Sequence, residues 1–162
     1  MTTIDESARP ADSDDIEPIE ALVDHASFQL EPLRGGAIWA RREARTRPAA
    51  GTLRRALIDD DQLLVVGTID DVVIGYAAVR REALHDETML AVVDDIYVLP
   101  DARGVGVGEA MLTLCLDWAR RTGCVGLDSL ALPGDRHTKN FFESFGLVAR
   151  AIIVHRRMKE DG

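Results

Sequence analysis

The sequence predicts an α/β (α+β) domain built on a mixed, mostly antiparallel sheet. Three observations carry that prediction. Residues 62–68 and 72–81 are apolar, β-branched runs on either side of Ile69-Asp70-Asp71, which is a hairpin signal. Residues 91–98 form a third such run, and a glycine-rich turn and a helical pattern follow it. A further apolar run spans 125–132. A strand reached through a helix lies parallel to the strand it left, so this run pairs parallel with 91–98.

Residues 1–7 read as a disordered start, and 8–11 as a short first strand. Asp12, Asp14 and Asp15 form an N-cap cluster before Ile16, Ile19, Leu22 and Val23, which mark one face of a helix. Pro32, Gly35 and Gly36 make a loop, and 37–47 reads as a second helix with Ile38 and Trp39 among arginines. Residues 53–58 continue as a helical turn. Pro100 stops the central strand because proline has no amide to donate. Past Gly108, Met111, Leu114, Cys115 and Trp118 recur on one helix face, and Arg120, Arg121 and Gly123 mark the exit. Pro133 and Gly134 open a loop, 138–145 is a short helix ended by Gly146, and 147–157 reads as the last strand. No repeat or linker divides the chain, so residues 1–162 read as one domain.

The turn at Gly104, Gly106 and Gly108 is the stretch with chemistry in it. The first amides of a helix lack partners, and the helix dipole is positive there. Glycines let a ligand approach the backbone, so the turn is a cradle for an anion such as a phosphate. A P-loop needs Lys-Ser/Thr after its last glycine, and Glu109-Ala110 stand there instead. A dinucleotide fingerprint started at Gly104 needs glycine where Glu109 is.

The pattern that fits is Arg/Gln-x-x-Gly-x-Gly/Ala, present as Arg103, Gly106 and Gly108. With the preceding strand end Ile96-Tyr97-Val98-Leu99-Pro100, it resembles motif A of the GNAT superfamily of acyl-CoA-dependent acetyltransferases. The resemblance is strongest over 91–123, fair over 129–154 and weak before residue 62. It implies helices on both sheet faces and a splayed parallel strand pair that admits the pantetheine arm. It implies acetyl-CoA as co-substrate, with the pyrophosphate held by Arg103, Gly104, Val105, Gly106, Val107 and Gly108. It further implies a primary amine acceptor, not identified by these residues, attacking directly in a ternary complex. Longer or acidic acyl groups stay open, and a homodimer is an expectation from resemblance alone.

Acyl transfer to an amine needs a base, a polarised thioester carbonyl and an exit for the thiolate. In the family a backbone amide at the end of the central strand polarises the carbonyl; here that is within Ile96, Tyr97 and Val98, with Val98 the first choice. Asp94 and Asp95 are candidate bases. Strict alternation places Asp94 with Ile96 and Val98, and Asp95 with Val93 and Tyr97. The resemblance favours Asp94, since family members carry a carboxylate at the matching position; the bland alternative is a sheet bulge or a backbone-binding role. For the acid, the family's tyrosine falls on Phe142 in Phe141-Phe142-Glu143-Ser144-Phe145-Gly146-Leu147, and phenylalanine has no proton to give. Either the thiolate leaves unassisted, or Tyr97 or His137 donates, or the chain binds acyl-CoA without turnover. The family's asparagine ahead of that helix aligns with Asp135; Asn140 is a substitute nearby. Trp39 and Phe28 are either acceptor-pocket walls or core.

Composition narrows the rest. At 162 residues and 46% hydrophobic, the chain can bury a real core. A net charge of −9 argues against general nucleic-acid binding. No apolar run is long enough to cross a bilayer, and the acidic start is no signal peptide, so the reading is a soluble cytosolic protein. Cys115 and Cys124 suggest neither disulfide framework nor zinc site, and the histidines show no ligand spacing, so no metal is expected. The arginine-rich stretch from Arg34 to Arg55 either greets an anionic ligand or is a solvated, self-neutralised face.

Overall fold

The structure, a computed structural model, describes residue 3 and residues 5–158. Five strands form one sheet in the order β1-β2-β3-β4-β5: β1 Glu6–Pro10, β2 Gln62–Ile69, β3 Val72–Ala83, β4 Met89–Val98 and β5 Cys124–Ser129. The first four pair antiparallel and β4 pairs parallel with β5, the mixed sheet expected. The expected disorder over 1–7 meets a strand that begins at Glu6; residues 1, 2 and 4 lie outside the described residues. Asp70 and Asp71 both take positive φ, which suits the twist of the β2–β3 hairpin.

Helices cover both faces of the sheet. α1 (Ile16–Leu30) and α3 (Ala50–Ile58) pack on one face against Leu64, Val66, Tyr76, Ala78 and Tyr97. α4 (Val107–Arg121) packs on the other against Val65, Ala77, Val79, Ala91 and Val93. Alternation along β2 and β3 feeds both cores, which is why these strands are apolar throughout. α1 follows a short 3-10 turn at Ser13–Asp15 closed by a capping box between Asp12 and Asp15. α4 lies tight against the sheet at Gly67: a Cβ there would lie 2.2 Å from Val107 Cγ1. Cys115 faces this core, and burial pushes its thiol up to about 12.

Several boundaries differ from expectation by a few residues, α3 starting at Ala50 among them, and three differences bear on the site. The second helix, α2, covers only Gly36–Arg42, and residues 43–49 form a loop that contains a cis Arg47–Pro48 bond. β5 stops at Ser129 because β4 diverges from it there. The strand expected over 147–157 is not formed. α5 (Arg136–Ser144) ends at Gly146 with φ 80°, and beyond it 148–158 carries no strand and no backbone hydrogen bond among the described residues. A strand is a paired structure, and here β propensity has no partner to pair with.

Candidate active site

The site is organised by one bulge in β4. Ala78 faces Asp95 and Val79 faces Val93, so Asp94 has no opposite residue on β3. A bulge bends the strand and shifts its alternation. Val93 joins the α4-side core with Ile96 and Val98, while Tyr97 joins the other core; Val93 therefore does not share a face with Tyr97, correcting strict alternation. At the same level β4 and β5 separate. Their last paired residues are Val93 and Ser129. The cleft beyond is lined by Asp94, Asp95, Ile96 and Tyr97 from β4, Ser129 to Leu132 from the end of β5, and Trp39, Glu43 and Arg45 from the α2–α3 region. The wall thus includes Trp39, while Phe28 is exposed on α1 away from the cleft.

The two adjacent aspartates differ sharply. Asp95 is locked in place. Arg45 donates from Nε and Nη2 to its two carboxylate oxygens, both at 2.7 Å, and the Tyr76 hydroxyl donates to Oδ2 at 2.8 Å. Arg45 also donates to Thr52 Oγ1 at 3.1 Å, tying the loop before α3 to the sheet. The Arg45 side chain is 11% exposed and that of Asp95 15%. Burial pushes the Tyr76 hydroxyl well above the usual range, and the Asp95 charge adds to that, so it stays a donor. Asp94 is freer. Its one ion pair within the described residues is with Arg80 Nε at 3.0 Å. Burial pushes its carboxyl above the usual range, and Arg80 pulls partly back.

Tyr97 is buried, and its hydroxyl donates to Gln29 Oε1 at 2.8 Å. Burial holds the hydroxyl above its usual range, while Arg103, 5.6 Å from the ring centroid, draws it down. Arg103 turns inward: its Nε donates to the Val98 carbonyl at 3.0 Å. That brace fixes the glycine turn to the end of β4. Gln29 and Arg45 escaped the sequence reading. Gln29 carries no motif, and Arg45 is one arginine of a run whose buried member only the fold selects.

The glycine turn itself forms a nest. Among the described residues, the backbone N–H groups of Gly104, Val105, Gly106, Val107, Gly108 and Glu109 have no protein acceptor; Ala110 is the first to bond back, to the Gly106 carbonyl at 3.0 Å. The expected nest at 103–108 shifts by one residue, since the Arg103 amide bonds to the Pro100 carbonyl at 3.3 Å. Gly104 and Gly106 hold φ of 84° and 91°, a region glycine enters freely and other residues rarely do. A Cβ at Gly104 would meet nothing within 4 Å, so this side of the turn is open to a ligand. A row of free amides at a helix N-terminus fits a diphosphate. Val105 and Val107 take part through backbone alone; the Val107 side chain is buried in the core.

On α5, Asp135 is the N-cap: it accepts from the Thr138 amide at 3.3 Å and from its hydroxyl at 2.6 Å. Asp135 and Thr138 line the cleft, whereas Asn140 is exposed on the helix. Phe142 is buried in the α4-side core. Its neighbour Phe141 lies nearer the nest, with ring atoms 3.4 Å from where a Gly108 Cβ would sit.

Comparison with known proteins identifies the family and the fold. The family model for the acetyltransferase (GNAT) family matches residues 22–147. The chain belongs to that family. No curated protein sequence matches it. Among solved structures, it resembles an aminoglycoside N-acetyltransferase, AAC(6')-Iy, in complex with CoA, at TM-score 0.75 and 17% identity, covering 98% of this chain and 97% of that one. It also resembles an aminoglycoside acetyltransferase from an uncultured soil metagenomic sample in complex with sisomicin, at TM-score 0.70 and 16% identity, covering 96% and 97%. A third neighbour is a transcriptional regulator from Bacillus halodurans, at TM-score 0.70 and 16% identity, covering 95% and 100%. At these identities the likeness is one of fold.

Proposed function

We propose that this chain is an N-acetyltransferase that moves acetyl from acetyl-CoA to a primary amine by direct attack in a ternary complex. The observation that carries this is the unpaired amide row from Gly104 to Glu109 opening beside the β4–β5 cleft. Gly104, Val105, Gly106, Val107 and Gly108 bind the pyrophosphate through their amides, with Arg103 bracing the turn. Ile96, Tyr97 and Val98, which have no partner on β5, offer backbone groups along the cleft to pantetheine and the thioester oxygen. Asp135 keeps lone pairs for a pantetheine amide; Asn140 contributes from the rim, and Phe142 packs beneath. Acetyl-CoA supplies the activated acyl group as a thioester.

Asp94 is the proposed base. It takes the proton of the incoming ammonium, directly or through water, so that a neutral amine attacks. Tyr97, held protonated by burial, is the proposed donor to the departing thiolate in place of the missing tyrosine at Phe142. Asp94 and Glu43 in the cleft suit a cationic acceptor, and two of the structural neighbours are aminoglycoside acetyltransferases. Non-catalytic acyl-CoA binding is the second reading, favoured by the buried Phe142 and by the Tyr97 hydroxyl being occupied with Gln29.

Thiol release from acetyl-CoA over a panel of amines, aminoglycosides and peptides separates the two readings. Acetyl-CoA binding with amine-dependent release is expected. Saturable binding without release for any acceptor supports the second reading, and no binding at all overturns both. Gly106→Asp should abolish binding, since it sets a carboxylate among the amides meant for phosphate.

A further inference from the structure

Between α1 and α3 the chain forms one wall of the cleft, and little packing holds that wall. Gly36 is buried at the end of α1, where a Cβ would lie 2.2 Å from the Leu30 carbonyl oxygen, and Ala49 is buried at the start of α3. No residue between them, from 37 to 48, is buried. Yet Trp39, Glu43, Ala44 and Arg45 of this stretch line the cleft together with Asp94. A segment with so few buried apolar contacts opens easily unless polar contacts fix it.

Arg45 supplies that contact. Its Nε and Nη2 donate to the two Asp95 oxygens on β4, and its Nη1 donates to Thr52 Oγ1. Thr52 Oγ1 in turn donates to the Ala49 carbonyl at 3.1 Å. One guanidinium thus joins the wall, the sheet and the first turn of α3. A planar fork matched to a carboxylate holds one orientation, which a lysine ammonium does not. The other ion pairs of the stretch are looser. Arg47 lies 3.5 Å from Asp24 and Arg42 lies 3.5 Å from Glu43, with the Arg47, Asp24 and Arg42 side chains 52–69% exposed. Exposed pairs contribute little. The grip also reaches the rest of the wall. The amides of Glu43 and Ala44 both bond to the Trp39 carbonyl, at 3.0 and 2.9 Å, so a shift at Arg45 is passed to Trp39 and Glu43. Asp95 directly follows Asp94, so the same bonds fix the bulge that carries the proposed base.

We propose that Arg45 is a positioning residue for the acceptor: by gripping Asp95 it seats residues 37–48, and with them Trp39 and Glu43, as the acceptor wall beside Asp94. This role rests on the acetyl-transfer reading of the cleft. The affinity for the amine depends on it and the affinity for acetyl-CoA does not, because the Arg45 bonds run to Asp95 and Thr52 and none runs to the nest.

Arg45→Lys tests this, since it keeps a cation against Asp95 but gives up the fork. Arg47→Lys is the matched control, the same change two residues on at an exposed pair. Three quantities are measured on the full chain: hydrogen exchange, the acetyl-CoA dissociation constant, and steady-state kinetics with the amine of the panel that releases thiol fastest. In Arg45→Lys the protection of amides 39–44 should fall at least about tenfold while that of β2 and β3 holds. The KM for the amine should rise at least about tenfold, with the KM and dissociation constant of acetyl-CoA within about twofold of wild type. Arg47→Lys should change none of these. The proposal is overturned by protection of 39–44 that is unchanged, by protection lost equally across the sheet, by both KM values rising together, or by Arg47→Lys acting as Arg45→Lys does. A wild type that releases no thiol with any amine fails the acetyl-transfer reading and takes the acceptor role with it. A wild type that turns over, beside an Arg45→Lys variant whose amine KM is unchanged, fails this inference alone.

Discussion

At the scale of single residues, the decisive contrast is between neighbours in sequence. Asp95 spends its charge on Arg45 and Tyr76, and Asp94 keeps its charge beside the cleft. Removing Arg45 leaves a buried carboxylate without its cation. Arg45→Ala should cost about 3–5 kcal/mol in urea denaturation, and Arg45→Ala with Asp95→Leu should cost clearly less than the sum of the single changes. Asp94 carries the kinetic prediction. Asp94→Asn should lower kcat/KM by roughly 10²–10⁴-fold. The sign of its pH dependence follows from its surroundings: burial raises the carboxyl, so the basic form is lost, as pH falls, at a higher pH than an ordinary aspartate near 3.9 would lose it. Arg80 opposes that rise, so Arg80→Ala should move the acidic limb of the kcat/KM profile further up. A limb that stays put in Arg80→Ala would remove Asp94 as the titrating group. Asp94 was legible in the sequence as a carboxylate inside an obvious strand, and its role as base is a proposal. Arg45 was not, because its partner is fifty positions along the chain and nothing local distinguishes it from Arg41 or Arg47.

At the scale of elements, α4 couples packing to binding. Its first residue, Val107, presses on β2 at Gly67 while its backbone belongs to the nest. Gly67→Ala should therefore overpack this contact, costing roughly 1–3 kcal/mol in thermal or urea unfolding. It should also weaken CoA binding, because the helix start must move to make room. Destabilisation with an unchanged dissociation constant would show that the nest tolerates the shift. At the other helix start, Asp12→Ala should cost about 1 kcal/mol by opening the capping box ahead of α1. The elements read well from sequence where their signals are local. The hairpin announces itself by Asp70-Asp71, and the α4 turn by its glycines. The bulge at Asp94 and the failure of 147–157 to form a strand are both matters of pairing. Period-2 patterning gives the faces of a strand, but neither the residue its partner skips nor whether a partner exists.

At the scale of the whole molecule, the sheet separates two cores and opens between β4 and β5, so a ligand gripped at the nest spans elements from both sides. Anything that binds the folded state alone stabilises it by mass action. Acetyl-CoA at a hundred times its dissociation constant should contribute about 2.7 kcal/mol. For a chain of 162 residues each kcal/mol moves the melting temperature by about 2–4 °C, so the expected shift is about 5–11 °C. Gly106→Asp should lower the melting temperature of the free protein, because Gly106 has φ 91° and a Cβ there would lie 3.0 Å from Glu6 Oε1. The more telling expectation is that this variant gains nothing from acetyl-CoA at any concentration. A destabilised variant that still gained the full shift would place the coenzyme elsewhere on the molecule. Loss of the shift in Gly106→Asp, with its retention in Asp94→Asn, would separate the residues that hold the coenzyme from the one that serves the acceptor.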